Sequence, residues 1–196
     1  MDIASTTALT LGVAWASGIN LYATMLMLGV LGATGGIVLP SELEVLANPW
    51  VIAAAAFMYA VEFCADKIPV FDSAWDAIHT FIRIPAGAVL AAGAVGPVDP
   101  SLQLVAGLLG GAITAGAHAT KASSRLLINT SPEPFTNWGA SIAEDVAVFA
   151  GLYAALHHPI LLLAFLALFF ALAIWLLPKL WRALKGGAAR LAAAFR

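Results

Sequence analysis

The chain has 196 residues, 62% of them hydrophobic and 10% charged, with a formal net charge of −2. Soluble domains run at roughly 45–50% apolar and about 25% charged, so this composition excludes an ordinary water-soluble globule and marks an integral membrane protein. No basic stripe offers a footprint for nucleic acid, and a lone Cys64 excludes both a disulfide framework and a paired-thiolate metal site.

A helix needs about 20 mainly apolar residues to cross roughly 30 Å of hydrocarbon. Segments 7–32, 50–65, 84–96, 102–120, 139–156 and 160–177 meet or approach that. The expected fold is therefore all-α: an integral membrane helix bundle of about six transmembrane spans, with two broken or re-entrant hairpins on the cytoplasmic side. Residues 1–178 form the bundle and 179–196 a basic juxtamembrane tail. The first span lacks the basic flank of a cleavable signal peptide, so it is expected to stay in the mature protein. Its Ser17, Asn20 and Thr24 recur at helical spacing, and such a polar seam bonds neighbouring helices.

The second span ends in Glu62 and Asp66, four apart and so on one face. A carboxylate a turn inside a span is costly unless it is paired or faces a wet cavity. Pro69 then stops the helix, and Asp72 is placed to cap a new one. Along that helix Asp72, Asp76, His79 and Arg83 form one polar stripe, opposed by Trp75, Ile78 and Ile82. By itself the stripe fits an interfacial helix with its polar face in water. The third span, at 84–96, is short, so this amphipathic segment either supplies part of the crossing or lies along the interface.

In the fourth span Gly107, Gly111 and Ala115 permit close packing. His118, Lys121 and Arg125 continue it as a basic face. The stretch Ser131-Pro132-Glu133-Pro134 favours extended backbone. Thr136 or Asn137 is positioned to cap the fifth span, which carries Ser141, Glu144 and Asp145 within its first turns. Two adjacent carboxylates there cannot both face lipid. The sixth span is apolar apart from the Trp175 indole and faces lipid, with Lys179, Arg182 and Lys185 as headgroup anchors. His157 and His158 sit in an exposed turn.

All nine Lys and Arg residues fall after spans two, four and six, and the other loops carry none. Positive charge marks cytoplasmic loops, so both termini are expected there. Segments 50–97 and 102–159 echo one another: Trp75-Asp76-Ala77 and Trp138-Gly139-Ala140 each stand about twenty residues before a proline, as in the repeats transporters use.

Gly18-Ile-Asn20-Leu-Tyr22, Ala65-Asp66-Lys67-Ile-Pro69, Trp75-Asp76-Ala-Ile-His79-Thr80, Pro85-Ala-Gly87, the run from His118 to Lys121, Ser131-Pro-Glu-Pro134 and the run from Ser141 to Asp145 together resemble the bacterial membrane-protein family catalogued as domain of unknown function 4126. The resemblance implies a multi-span bundle in a bacterial inner membrane and brings no assigned activity.

Two activities compete on the residues alone. In a transporter, Glu62, Asp66, Asp72, Asp76, His79, Glu144 and Asp145 gather around a cavity open to the cytoplasm. There they bind an ion or small charged solute or exchange protons, with Lys67, Arg83, His118, Lys121 and Arg125 balancing charge and Asn20, Glu133 and Ser141 supporting them. Glu62, Asp66, Glu144 and Asp145 are then the candidate ligands of a divalent cation, Mg or Ca. In an enzyme, the acids hold Mg and the basic residues grip a lipid phosphate. A scaffold or partner subunit is the third possibility, and a chain this small is a candidate for homo-oligomers in the bilayer.

Overall fold

The computed structural model describes residues 2–129 and 135–194. Its first helix, α1 (Ile3–Ile19), starts on Asp2, whose carboxylate accepts from the Ser5 amide at 2.7 Å. From Ala8 to Ile19 it is buried nearly all round, packed against the helices that follow residue 68. A helix apolar on every side has no face to offer water, and it occupies the centre.

The expected first span does not run through. Asn20 is extended (φ −147, ψ 100), ends α1 and caps α2 (Leu21–Ala33) by accepting from the Ala23 amide at 3.0 Å. Asparagine competes with the helical backbone for its own hydrogen bonds, which is why the chain breaks at this residue and not at a neighbouring glycine. A 3₁₀ helix, Ser41–Ala47, meets α3 (Pro49–Ala65) at 69°, with Asn48 capping α3 through the Trp50 amide.

After a turn at Asp66, α4 (Pro69–Ala94) runs as one helix through Pro85. Pro69 occupies its first turn, where a missing N–H costs nothing. Asp72 is thus inside the first turn and is not the cap; Ile68 holds that position without a side-chain bond. Of the two options for the amphipathic segment, the helix takes the crossing: Phe71–Ala94 is 24 residues long and apolar enough to span.

Helix α5 (Pro100–Ile128) lies along α4, and α6 (Phe135–His157) and α7 (Pro159–Ala194) complete the bundle. Small residues set the approach. A Cβ on Gly18 would fall 2.5 Å from the Thr114 carbonyl oxygen, and one on Gly87 would overlap the Thr114 side chain. Between residues 159 and 179, α7 leaves most of its surface exposed, burying Leu162, Leu166 and Ala173.

Among the described residues four helices are long and apolar enough to cross a membrane, or five if the bent pair of the 3₁₀ helix and α3 counts as one span. The expected six reduce to this for two reasons: α1 and α2, at 17 and 13 residues, are separate short helices, and α3, at 17 residues, reaches spanning length only together with the 3₁₀ helix.

Candidate functional site

The two charged segments and the break in the first span converge at one end of the bundle. The last turn of α3 and its C-cap deliver Glu62 and Asp66, α4 delivers Asp72, Asp76, His79 and Arg83, the end of α5 delivers His118, Lys121 and Arg125, and α6 delivers Asn137, Ser141, Glu144 and Asp145. The polar stripe of α4 points inward and its greasy stripe outward: Asp72 and Arg83 are 0% exposed, whereas Ile78 is 62% exposed. That inverts the arrangement of an interfacial helix in water, because the partners of the stripe are the cations and acids of α3 and α5 and not solvent.

Three cations organise the acids. Arg83 donates to Glu62 Oε1 at 2.5 Å and to Asp76 Oδ1 at 3.0 Å. Arg125 reaches Asp72 Oδ1 at 3.2 Å, the Asp66 carbonyl at 2.8 Å and both oxygens of Asn137 at 2.8 and 2.6 Å. Lys121 sits between them, with Asp66 Oδ2 at 3.3 Å, Glu62 Oε1 at 3.4 Å and Glu144 Oε2 at 3.5 Å. Glu62 of α3 and Glu144 of α6 therefore meet on the same ammonium. Lys121 also donates to the Ile19 carbonyl at 3.1 Å. That oxygen sits where α1 ends, so the break in the first span supplies a ligand to the cluster, with the negative end of the α1 dipole facing the cation. Across the break Asn20 donates to Asp145 at 3.1 Å.

The two histidines are hydrogen-bonding groups. Arg83 donates to His118 Nδ1 at 3.2 Å, so that nitrogen is bare; Nε2–H faces Thr80 Oγ1 at 2.7 Å, whose own proton goes to the Asp76 carbonyl. This ring is neutral and supplies no charge balance. His79 directs Nδ1–H to the Trp75 carbonyl at 2.9 Å and takes the Tyr22 hydroxyl on Nε2 at 3.1 Å. Lys67, at the rim, donates to the Phe63 carbonyl at 2.9 Å and lies 3.0 Å from the centre of the Phe63 ring, with Ser141 Oγ at 3.5 Å. Burial pulls its ammonium below the usual lysine range. Glu133 lies outside the described residues.

The cavity expected among these acids is occupied by their counter-ions. Its acids are buried among cations, and only the Glu144 side chain keeps appreciable exposure, at 18%. Among the described residues no three of the His, Cys, Asp and Glu side chains are grouped to hold a metal ion. The oxygens proposed for Mg or Ca from Glu62, Asp66 and Glu144 are turned instead towards Lys121, while Asp145 faces Asn20.

A family model described as Domain of unknown function (DUF4126) matches residues 7–179. The chain belongs to that family. Comparison with curated proteins and with solved structures gives no match. Within this DUF4126 chain the matched stretch contains every side chain of the cluster, from Asn20 to Asp145. Several contributors escaped the sequence reading, among them Asn129, which donates to Asp72 Oδ2 at 2.6 Å. Tyr22 and Thr80 stand in the quoted motifs without a charge to advertise them, and Asn137 reads as a cap. A signal existed for Asn137, which begins a polar stripe with Ser141 and Glu144 along one face of α6.

Proposed function

We propose that the protein is a membrane transporter for a small cation, with the buried cluster as a proton-exchange site. The observation that carries this reading is a surplus of buried acid. Among the described residues six carboxylates (Glu62, Asp66, Asp72, Asp76, Glu144 and Asp145) face four cations (Lys67, Arg83, Lys121 and Arg125). Burying an uncompensated charge costs several kcal/mol, so the two excess negative charges call for protons or a bound cation. Oxygens are free to take them: Glu62 Oε2, Asp66 Oδ1 and Asp76 Oδ2 accept no hydrogen bond. A helix broken at Asn20 beside the cluster suits ion handling inside a bilayer, since unwound backbone is tolerated there only where it is buried in protein or lines a cavity.

Lipid-phosphate chemistry has less support, because an anion needs free donors. Lys121 has three protons and five oxygens within 3.9 Å. In the transport reading the basic loops and both termini lie in the cytoplasm of a bacterial cell.

The test is proton flux. Protein in liposomes loaded with a pH-sensitive dye is expected to dissipate an imposed pH gradient, and Asp66→Asn and Glu144→Gln are expected to fall to the rate of empty liposomes while still inserting and eluting as wild type. Variants that conduct like wild type would remove the cluster from the mechanism.

A further inference from the structure

A groove runs down the outside of the bundle between α6 and α7 and ends at the charge cluster. It consists of two cavities that share Ala147 and Phe165: one of about 200 Å³ over Ala150, Gly151 and Leu162, and one of about 270 Å³ whose walls include Trp15, Phe169, Lys121 and Glu144. From Ala143 to Ala154 on α6 its length is about 16 Å at 1.5 Å per residue. Ala143 and Ala150 are exposed, so the groove opens sideways, towards lipid if the bundle spans a bilayer.

Its two ends differ in chemistry. The walls are alanine, glycine, leucine and phenylalanine, which suits a narrow apolar body. At the deep end the rings of Trp15, Phe165 and Phe169 pack edge-on, with Trp15 5.2 Å from Phe165 and 5.8 Å from Phe169. The Trp15 Nε1 is buried and makes no hydrogen bond. Beside them stands Glu144, the most exposed acid of the cluster, with the Lys121 ammonium 3.5 Å from its Oε2 and the Arg125 Nε 3.6 Å from its Oε1. The Lys121 ammonium on the same wall is saturated by oxygens and has no donor for an anion. This end of the groove therefore suits positive charge, because the carboxylates of the cluster outnumber its cations and aromatic rings, to which cations are attracted, line the same cavity.

We infer that this groove binds an amphipathic organic cation, a molecule with a rod-like apolar body and one ammonium-type head. The head lies at Glu144 and the body along the α6–α7 seam, entering from the side. What occupancy does rests on the transport reading: the head takes the place of a proton at Glu144, making the two ions alternative occupants of one carboxylate.

The test uses two fluorescent rods of one shape, a diphenylhexatriene bearing a trimethylammonium end and the same rod bearing a carboxylate end, added to the protein in nanodiscs. Energy transfer from tryptophan is expected to show a saturable component for the cationic rod above linear partition into lipid, and none for the anionic rod. Glu144→Gln is expected to weaken the saturable component at least about tenfold, the equivalent of 1.4 kcal/mol. Saturable transfer from both rods, or from neither, overturns the inference, as does full binding by Glu144→Gln. If that variant fails to fold, Ala150→Phe decides: the ring fills the groove away from the ion pairs and is expected to abolish rod binding, and undiminished binding overturns the proposal. Proton flux in the same preparation separates the two readings. Flux without rod binding defeats the groove alone, and rod binding without flux defeats the transport reading alone.

Discussion

Arg125 is the residue on which most of the cluster turns. Its fork joins the end of α3, the start of α4 and the start of α6 through Asp66, Asp72 and Asn137, and its side chain is 1% exposed. Removing one partner of a buried pair leaves an uncompensated charge, so Arg125→Met is expected to destabilise by about 3–5 kcal/mol. Arg125→Lys keeps the charge but replaces a rigid fork by a point donor and is expected to lose an intermediate amount. Unfolding midpoints in detergent titrations would show both; a midpoint for Arg125→Met equal to wild type would mean that the acids are already neutral around it. Asn20→Ala removes a helix cap and the bond to Asp145 together, for an expected loss of about 1–2 kcal/mol by the same assay. The spacing of residues 118, 121 and 125, and of 72, 76, 79 and 83, made the charged faces legible in the sequence. Their partners were not, because a carbonyl such as that of Ile19 becomes a ligand only when its helix stops, and no side chain announces that.

At the scale of elements, the α4–α5 and α1–α5 contacts rest on missing side chains. Gly87→Ala and Gly18→Ala are each expected to cost about 1–3 kcal/mol as overpacking. Gly139→Ala in α6, with nothing within 4 Å of the added methyl, is expected to stabilise by about 0.4–1 kcal/mol. Equal effects at the three positions would show that the helices are not packed this closely. The start of α5 gives a pH-dependent counterpart. Asp99 caps it, and hydrogen bonds from the Ser101 hydroxyl and amide hold the carboxyl below its ordinary value of 3.8. A depressed carboxylate stabilises above that ordinary value and loses its contribution as pH falls through the folded one. The protection factors of amides in the first turn of α5, which have the intrinsic pH dependence of exchange divided out, are thus expected to fall below about pH 4 in wild type and to stay constant there in Asp99→Asn, which caps equally well without titrating. Hydrophobic runs located five of the seven helices closely enough to order them along the chain. The runs missed the division at Asn20 and joined too little to α4, since periodicity reports which residues are apolar and says nothing of where a lone asparagine finds better bonds than the helix offers.

Across the whole molecule, the arrangement is a charged core inside an apolar shell: α1 and the small residues around it hold six acids and their cations together, and α6 and α7 leave one acid accessible from the side. Composition alone indicated the shell. The closure of the core was not readable, because whether acids face water or each other's counter-ions depends on helices brought together from distant parts of the chain. The surplus of carboxylates over cations is the property from which the proposed activity follows. Its most direct test is infrared difference spectroscopy of protein in hydrated lipid films at neutral pH, which sees the carbonyl stretch of protonated carboxyl groups. The expected result is a protonated-carboxyl band in wild type that shifts on deuteration and loses intensity in Glu144→Gln or Asp66→Asn. No such band at neutral pH, with every acid ionised, would contradict a proton-exchange site.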